Sequence, residues 1–383
     1  METLGCVSVI ATDKTGTLTT NQMTAVSLAM LEKQGMGYAI VEHAINGTSY
    51  EPFGEVQGIG TEEVQISPQG TVSDVIAISF GCNDAELIQS EDGFSIIGEP
   101  TEGALLTLAE KLGKEQASPS ADRNRRVWNN QWERYATLDF DRKRKSMSSL
   151  CRPRDQASSE MHRLLVKGAP NLLLGKCSHV KLRDGQVTEL TPALREDFER
   201  VISSLSSRPL RCLLLAVKEA RSDQFEGALD NVDNFASIES DLTAVAIVGI
   251  KDPARLDALK SIELCKQAGI RIVMITGDAH GTAVAIAKEL NILSDVPSTE
   301  LKAYEGRDFF SKAEEEQRSL LSEGNLVFSR TEPTDKQKIV KMLQSLGEVP
   351  AMTGDGVNDA PALRQANIGT LSRWPKLMSF DNF

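Results

Sequence analysis

The chain has 383 residues, 40% of them hydrophobic, and at roughly 150 residues per domain this length predicts two or three domains with buried cores. The formal net charge of −12 argues against nonspecific binding to nucleic acid. The longest apolar stretches fall far short of the ~18 residues that a membrane-spanning helix needs, and the N-terminal residues lack a signal segment. We therefore expect a cytosolic location and no insertion of this chain into a membrane.

The first predicted element is a short parallel strand over Val7 to Ala11, an apolar and β-branched run that leads to Asp13. Ligands bind at the carboxyl ends of strands in open α/β sheets, so the position of Asp13 favours chemistry over packing. Three later segments repeat this design, namely Ala244 to Ile250 before Asp252, Ile270 to Ile275 before Thr276-Gly277-Asp278, and Val349 to Met352 before Thr353-Gly354-Asp355.

Helices are predicted between these strands. One is capped by Asp252 and ends before Gly269, and another runs from Thr334 to Leu346. Strand and helix alternate from about residue 244 onward, which predicts a doubly wound parallel α/β sheet that also includes the first strand.

The region from residue 22 to 251 has a different texture, with Gly-rich and charged stretches and short β-type runs. Strands are predicted at Arg163 to Val166 and Cys212 to Val217, and a helix at Glu102 to Leu112. We interpret this region as a large inserted α+β domain between a first core part at 1–21 and a second at 252–383, with an atypical tail from residue 370. Both links to the insert then lie close together, which permits hinge motion.

The strongest single signal is Asp13-Lys14-Thr15-Gly16-Thr17-Leu18-Thr19. A carboxylate at a strand tip, followed by a glycine-containing turn with free N–H groups, can attack phosphorus while the turn holds the phosphate oxygens. The alternative is an ordinary acidic turn. The further aspartates at strand tips downstream favour the chemical interpretation.

A second string, Thr353-Gly354-Asp355-Gly356-Val357-Asn358-Asp359, supplies hard oxygen ligands of the kind that Mg²⁺ requires when it carries phosphate. Asp13 and Asp355 could share one ion. Phosphoryl transfer also needs positive charge, because its transition state spreads negative charge over three oxygens. Lys336 is the candidate, although alone it would be an ordinary solvated lysine, and Thr276 could donate a hydrogen bond to the same oxygens.

The segments that carry Asp13, Thr276, Lys336 and Asp355, in this order, resemble the haloacid dehalogenase-like superfamily. The full string from Asp13 resembles its P-type ATPase branch. In related phosphatases the residue two after the nucleophile is a second Asp that acts as general acid–base, whereas this chain has Thr15. The resemblance therefore implies an aspartyl-phosphate that lasts long enough to drive a conformational change. It implies these catalytic residues: Asp13, Lys336, Thr276 and Asp359. The magnesium ligands that it implies are Asp13, Thr15 and Asp355.

The insert carries strings that resemble the nucleotide-binding domain of these pumps: Gly98 to Leu105, Phe140 to Ser148, Lys167 to Pro170 and Leu210 to Cys212. By that resemblance Phe140 stacks on the adenine of ATP, and its base, ribose and phosphates are surrounded by Glu102, Arg142, Lys145, Lys167 and Arg211. The nucleotide-binding set extends to Thr276, Gly277, Asp278, Arg330, Lys336 and Asn358. An aromatic face with flanking cations can hold a purine and its phosphates. The alternative for the basic string is a solvated loop or an import signal.

Three strings are similar to sarco/endoplasmic reticulum-type calcium pumps: Glu2 to Cys6, Thr20 to Met23 and Arg144 to Ser148. This resemblance implies calcium as the transported ion and an endoplasmic reticulum membrane for the parent pump, by analogy alone. The expected partners are ATP and the pump's membrane and actuator domains, which this chain lacks. The chain departs from the family after Gly369 and at Ala279-His280, which replaces the usual Asn-Lys pair.

Three functional hypotheses follow from the sequence. In the first, ATP binds the insert, the domains close and Asp13 attacks the γ-phosphate. In the second, the chain is a nucleotide- or partner-binding module without turnover. The third, a free-standing phosphatase, is disfavoured because Thr15 replaces the acid–base Asp and because the insert is large.

Overall fold

The computed structural model describes residues 2–35, 37–47, 49–60, 70–91, 93–112, 122–154, 161–208, 210–227, 229–293, 302–354 and 357–371. The chain divides into two compact units. Unit 1 comprises Met1–Asn21 and Asp252–Phe383, and unit 2 comprises Gln22–Lys251. In the residues that the structure describes, no helix is both long enough and apolar enough to cross a membrane.

Strands and helices are numbered in chain order. The strands are β1 (Val9–Thr12), β2 (Thr24–Gln34), β3 (Gly37–Ala44), β4 (Glu86–Ser90), β5 (Gly93–Ile97), β6 (Trp132–Leu138), β7 (Ser146–Pro153), β8 (Met161–Gly168), β9 (Cys177–Lys181), β10 (Val187–Glu189), β11 (Arg211–Arg221), β12 (Leu242–Lys251), β13 (Arg271–Ile275), β14 (Ala303–Glu305), β15 (Leu326–Ser329), β16 (Pro350–Gly354) and β17 (Ile368–Leu371). The helices are α1 (Thr71–Gly81), α2 (Pro100–Lys111), α3 (Arg123–Gln131), α4 (Pro170–Leu173), α5 (Pro192–Ser207), α6 (Val232–Ser237), α7 (Leu256–Gln267), α8 (His280–Glu289), α9 (Gly306–Phe310), α10 (Glu314–Leu321), α11 (Pro333–Ser345) and α12 (Ala360–Gln365).

Unit 1 is built on a parallel sheet with the strand order β14-β15-β13-β1-β16-β17. Successive side chains of a strand point to opposite faces, so Val273 of β13 packs in an apolar cluster with α11, whereas Ile272 packs in another with α7 and α8. Helices therefore cover both faces, and the doubly wound parallel sheet predicted from the sequence is confirmed. The atypical tail reaches this sheet as β17, which pairs with β16, and residues 372–383 lie outside the described part of the chain.

Unit 2 is built on a larger sheet in which most neighbouring strands are antiparallel. Its strand order is β10-β9-β12-β11-β8-β7-β6, and β2 adds to the sheet by pairing with both β12 and β3. Helices α1 and α2 share an apolar cluster with one face of the sheet, and α5 shares a cluster with the other. A separate β4–β5 hairpin completes this α+β unit.

The prediction that residues Ala244 to Ile250 belong to the doubly wound sheet is wrong. These residues form the middle of β12, which lies in unit 2 between antiparallel neighbours β11 and β2 and also pairs with β9. A continuous apolar run is typical of a parallel strand that is buried on both faces. The antiparallel strand β12 is also buried on both faces, so its sequence shows the same kind of run.

Asp252 does not cap the following helix as predicted. Helix α7 begins at Leu256 after Arg255, and the carboxylate of Asp252 instead accepts hydrogen bonds from Thr19 Oγ1 at 2.6 Å and from the Asn21 N–H at 2.9 Å. A side-chain oxygen can satisfy either a helix end or a turn, and here it stabilises the segment that follows β1. The predicted end of this helix at Gly269 is confirmed by its φ of +75°.

Lys111, the last residue of α2, has its ammonium group inside unit 2. Its Nζ donates to the Asn46 carbonyl at 2.8 Å, and the residue is only 3% exposed. Burial lowers the pKa of Lys111 from 10.5 to about 8, and the charge of Glu51 opposes this shift only in part. The charged form of Lys111 is therefore disfavoured in the folded chain.

We expect unit 2 to gain stability as the pH rises from about 8 to 10.5, because the unfolded chain then holds a proton on Lys111 that the folded chain has released. The gain is at most roughly 3.5 kcal/mol, for a shift of about 2.5 pKa units at about 1.4 kcal/mol per unit. Lys111→Met should abolish it, whereas the matched change Lys33→Met, at a half-exposed lysine, should keep it. Urea unfolding followed by the fluorescence of Trp128 and Trp132 measures the effect. Equal pH slopes for the wild type and Lys111→Met would contradict the burial of this ammonium.

Candidate functional site

Asp13 lies at the carboxyl end of β1, the strand that pairs with both β13 and β16. Its N–H donates to the Thr353 carbonyl at 2.9 Å, and the residue is 8% exposed. The chain then turns through Lys14–Leu18, where Gly16 has a φ of +73°. Glycine adopts this left-handed conformation without steric cost, so the turn can stay tight behind the carboxylate.

The ammonium of Lys336 lies between two buried carboxylates. Its Nζ is 2.6 Å from Asp13 Oδ1 and 2.7 Å from Asp359 Oδ1. Lys336 and Asp359 are 5% and 1% exposed, so the three charges lie together in a desolvated site. These residues come from the end of β1, the first turns of α11 and the residue before α12.

Burial raises the pKa of Asp13 above its ordinary value of 3.8, and the charge and hydrogen bond of Lys336 oppose that rise only in part. Burial alone would lower the pKa of Lys336, but the charge and hydrogen bonds of its two carboxylate partners raise it. The lysine therefore stays protonated, while the nucleophile candidate keeps more affinity for a proton than an exposed aspartate has.

Gly354, the last residue of β16, makes room for Asp359. A Cβ atom at position 354 would lie 2.5 Å from both Cγ and Oδ2 of Asp359. Real atoms do not approach so closely, so any side chain here would push the Asp359 carboxylate away from Lys336. Gly354 belongs to the string predicted to bind Mg²⁺, but nothing in that string indicates this requirement for space.

A second lysine, Lys14, joins the turn after β1 to two more carboxylates. Its Nζ lies 2.7 Å from Asp278 Oδ2 and 3.4 Å from Asp252 Oδ2. Arg255 supports the same turn, donating from Nη2 to the Gly16 carbonyl at 2.6 Å. Asp278 was predicted to bind nucleotide, but this network was not predicted, although Lys14 follows Asp13 directly and Asp252 lies at a predicted strand end.

Thr276 follows β13, next to the end of β1, and is 2% exposed. Its Oγ1 accepts the N–H of Asp278 at 3.2 Å, so the two residues form one turn, in which Gly277 is exposed. Arg330 has a left-handed φ of +48°, and its N–H donates to the Asp278 carbonyl at 2.9 Å. Asn358, the residue directly before Asp359, is exposed.

Oxygen donors of the kind that bind a divalent cation lie beside Asp13. The carboxylates near Asp13 offer the hard oxygens that Mg²⁺ prefers, and in this structure they pair with the ammonium groups of Lys14 and Lys336. Of the expected ligands, Asp13 and Thr15 lie in the turn after β1, whereas Asp355 lies outside the described residues. Considering described residues only, no group of three or more His, Cys, Asp or Glu side chains is arranged to hold a metal.

In unit 2, three of the residues expected to bind nucleotide lie together at the N-terminal end of α2. Lys167 donates to a carboxylate oxygen of Glu102 and to the Cys82 carbonyl. Arg211 Nη1 donates to Oγ1 of Thr101 at 2.7 Å, directly beside Glu102 in the chain. Basic side chains and the positive end of a helix therefore meet at this place, which suits an anionic ligand.

Three more expected residues lie on the connection between β6 and β7, residues 139–145. Phe140 is 61% exposed, and Arg142 and Lys145 are exposed as well. The Lys145 carbonyl accepts the N–H of Ala169 at 2.9 Å, two residues after Lys167. The connection therefore ends beside the strand that carries Lys167.

Glu239 is a buried acidic residue near this connection that was not predicted from the sequence. Its side chain has no solvent exposure and accepts hydrogen bonds from Arg144, Ser146, Ser148 and Lys176. No local pattern indicates it, because its partners lie 63 to 95 residues away in the chain.

Two family models match this chain. One, described as P-type ATPase, cytoplasmic domain N, matches residues 71–257, which lie almost wholly in unit 2. The other, described as haloacid dehalogenase-like hydrolase, matches residues 166–367, more than half of the chain. Lys336 and Asp359 lie within the second match, whereas Asp13 lies outside both.

Replacing Lys336 should destabilise unit 1, because Lys336→Met leaves two carboxylates buried without their cation. We expect a loss of about 3–5 kcal/mol at neutral pH. The loss should shrink at acidic pH, where protonation removes the uncompensated charges, and Asp13→Asn added to Lys336→Met should recover part of it. Denaturant unfolding followed by circular dichroism, with hydrogen exchange to assign the transition to unit 1, measures these changes.

The matched control is Lys338→Met on the same helix, whose ammonium is exposed beside Asp335. Exposed pairs contribute about 0–1 kcal/mol, so this variant should unfold nearly as the wild type does. Equal losses for Lys336→Met and Lys338→Met would contradict a buried charge cluster.

Proposed function

The chain belongs to the haloacid dehalogenase-like hydrolase family and contains the cytoplasmic domain N of a P-type ATPase, and from this premise we propose that Asp13 accepts the γ-phosphate of ATP. One observation carries the proposal. The Lys336 ammonium lies between the carboxylates of Asp13, at the end of β1, and Asp359. A carboxylate with a positioned cation at a strand end is the arrangement that acceptance of a phosphoryl group requires.

In the proposed step, a carboxylate oxygen of Asp13 attacks the γ-phosphorus. The bond between that phosphorus and the oxygen bridging to the β-phosphate breaks, and its electron pair leaves with ADP. The product at Asp13 is an acyl phosphate. Because the transition state spreads negative charge over the transferred group, an ammonium at this position favours it over the ground state.

Lys336 is the residue suited to stabilise that charge. An ammonium has three N–H donors, and within the described chain Asp13 and Asp359 use two of them. The third can donate to a phosphoryl oxygen. Asp359 acts by holding Lys336 in place. The hydroxyl of Thr276, at the end of the neighbouring strand, can donate a hydrogen bond to an oxygen of the same phosphoryl group.

The turn after β1 favours a long-lived acyl phosphate. Position 15 is a threonine, so this position offers no carboxylate that could activate water for hydrolysis. Bound Mg²⁺, held by Asp13, Thr15 and Asp355, would neutralise charge on the phosphate oxygens. The oxygen donors of Asp13 and Thr15, which lie two residues apart after β1, support this assignment.

Unit 2 is proposed to supply the nucleotide. Phe140 presents an exposed ring on which adenine can stack, while Arg142, Lys145 and Arg211 provide positive charge for phosphates. Glu102 is suited to hydrogen bonds with base or ribose, and Lys167 is already fixed against it. Transfer requires that nucleotide held by unit 2 deliver its γ-phosphate to Asp13.

The test is to incubate the purified chain with γ-labelled ATP and Mg²⁺ and to quench in acid. We expect acid-stable, hydroxylamine-sensitive label on the wild type and none above background on Asp13→Asn, because an acyl phosphate requires the Asp13 carboxylate. Asp257→Asn, at an exposed aspartate of the same unit, is the matched control and should label as the wild type does. Persistent label on Asp13→Asn would refute the assignment. A wild type that binds ATP but takes no label would instead be a nucleotide-binding module.

We further propose that the parent pump transports calcium across an endoplasmic reticulum membrane, with membrane and actuator domains as partners. The support is the similarity of the strings at residues 2–6, 20–23 and 144–148 to calcium pumps of that membrane. ATP-driven calcium uptake by microsomal vesicles carrying the parent pump is the measurement, with the Asp13→Asn pump as control. Uptake of another cation with no calcium uptake would contradict the proposed ion.

A further inference from the structure

The loop of residues 139–145 carries three of the side chains on which the proposed nucleotide binding depends, Phe140, Arg142 and Lys145. All three are exposed. An exposed side chain owes its position mainly to the backbone that carries it, because few neighbours pack around it. The conformation of the loop therefore decides whether these side chains can meet one ligand together.

Asp141 folds the loop from inside. Its Oδ1 accepts the N–H groups of Lys143 and Arg144, each at 2.9 Å, and these two bonds lower the pKa of Asp141. The Lys145 N–H donates to the Asp141 carbonyl at 2.6 Å, and Lys145 itself adopts a left-handed φ of +50°. These contacts define the turn, but they do not fix it to the rest of unit 2.

Arg144 provides a side-chain attachment, in addition to the main-chain bond from the Ala169 N–H to the Lys145 carbonyl. Its Nη2 donates to the Asp139 carbonyl at 2.6 Å, at the beginning of the loop, and its Nη1 lies 3.3 Å from Ser146 Oγ, just beyond the end. The same Nη1 donates to Glu239 Oε1 at 2.6 Å. One guanidinium group thus joins both ends of the loop to a buried carboxylate that precedes β12.

Glu239 is well suited to hold it. Besides Arg144, the carboxylate accepts from Lys176 Nζ at 2.6 Å, Ser148 Oγ at 2.8 Å and Ser146 Oγ at 3.0 Å. Burial alone would raise the pKa of Glu239, but the hydrogen bonds of Lys176 and Ser148 bring it below its ordinary value. The buried group therefore stays ionised, and two of its four partners are cations.

We propose that Glu239 is a positioning residue for nucleotide binding, which acts through Arg144 to hold the 139–145 loop in the conformation that presents Phe140, Arg142 and Lys145. Glu239 itself has no solvent exposure, so a nucleotide bound at the surface would not touch its carboxylate. The inference rests on the proposed binding of ATP by unit 2 and identifies a residue that sets its affinity.

The affinity test compares Glu239→Gln with the wild type by calorimetric titration of ATP. Loss of the charge that fixes Arg144 should raise the Kd about tenfold, because binding must then order the loop and its side chains. Arg144→Met cuts the same pair from the other side and should give a similar rise. The double variant should be no weaker than either single one, because both changes remove one interaction.

The matched control is Lys176→Met. It removes the other cation bound to Glu239 and leaves the contact with Arg144 in place, so the Kd should change less than about twofold. Phe140→Ala provides a reference for direct loss of a stacking contact. An unchanged Kd in Glu239→Gln, or an equal rise in Lys176→Met, would overturn the proposal.

Hydrogen exchange separates loop positioning from general destabilisation. In Glu239→Gln and Arg144→Met, the amides of Lys143, Arg144 and Lys145 should exchange faster, while those of β7 and β8 stay protected. Uniform loss of protection across unit 2 would show a structural role and contradict positioning. If the wild type itself fails to bind ATP, the proposed function fails, whereas a wild type that binds and a Glu239→Gln variant that binds equally well refute this inference alone.

Discussion

The pairing of the buried Lys336 ammonium with the carboxylates of Asp13 and Asp359 is the interaction on which unit 1 depends. The ammonium compensates two carboxylates that the fold removes from water. Burying either carboxylate without this ammonium would cost roughly 3–5 kcal/mol of stability. Asp13 lies 323 residues from Lys336 in the chain, and Asp359 lies 23 residues from it. Folding must therefore assemble the sheet, α11 and α12 together before the charge balance exists. The glycine at position 354 belongs to the same requirement, because only it leaves space for Asp359.

The parallel register brings these groups to one edge. Thr12 of β1 is aligned with Met274 of β13 on one side and with Thr353 of β16 on the other. The next residues, Asp13 and those that follow the two neighbouring strands, must then project from the same end of the sheet. Parallel pairing without a shift thus fixes the positions of the chemical groups, and the loops only orient them.

The sequence was sufficient for features that depend on local patterns. Apolar runs predicted β1, β13 and β16, and Gly269 predicted the end of α7, because burial and left-handed turns leave local signatures. The same pattern misassigned β12, since a central antiparallel strand is also buried on both faces. Lys336 could be selected only together with its neighbours in the pattern, because alone it would be an ordinary solvated lysine, and Gly354 and Glu239 could not be assigned roles at all. Their importance comes from contacts with residues distant in the chain or from the space that a side chain would fill.

The two candidate sites differ in the burial of their charged groups. Around Asp13 the charges are buried and paired, so that a phosphoryl group would enter an environment whose dipoles and charges are already oriented. On the 139–145 loop, Phe140 and Arg142 stay exposed, and the buried pairing lies behind them at Glu239. Transition-state stabilisation needs desolvated charge, whereas exchange of a nucleotide needs a surface open to solvent. In the proposed scheme, the Arg144–Glu239 pair meets both demands, because it would keep the loop in place without closing the surface.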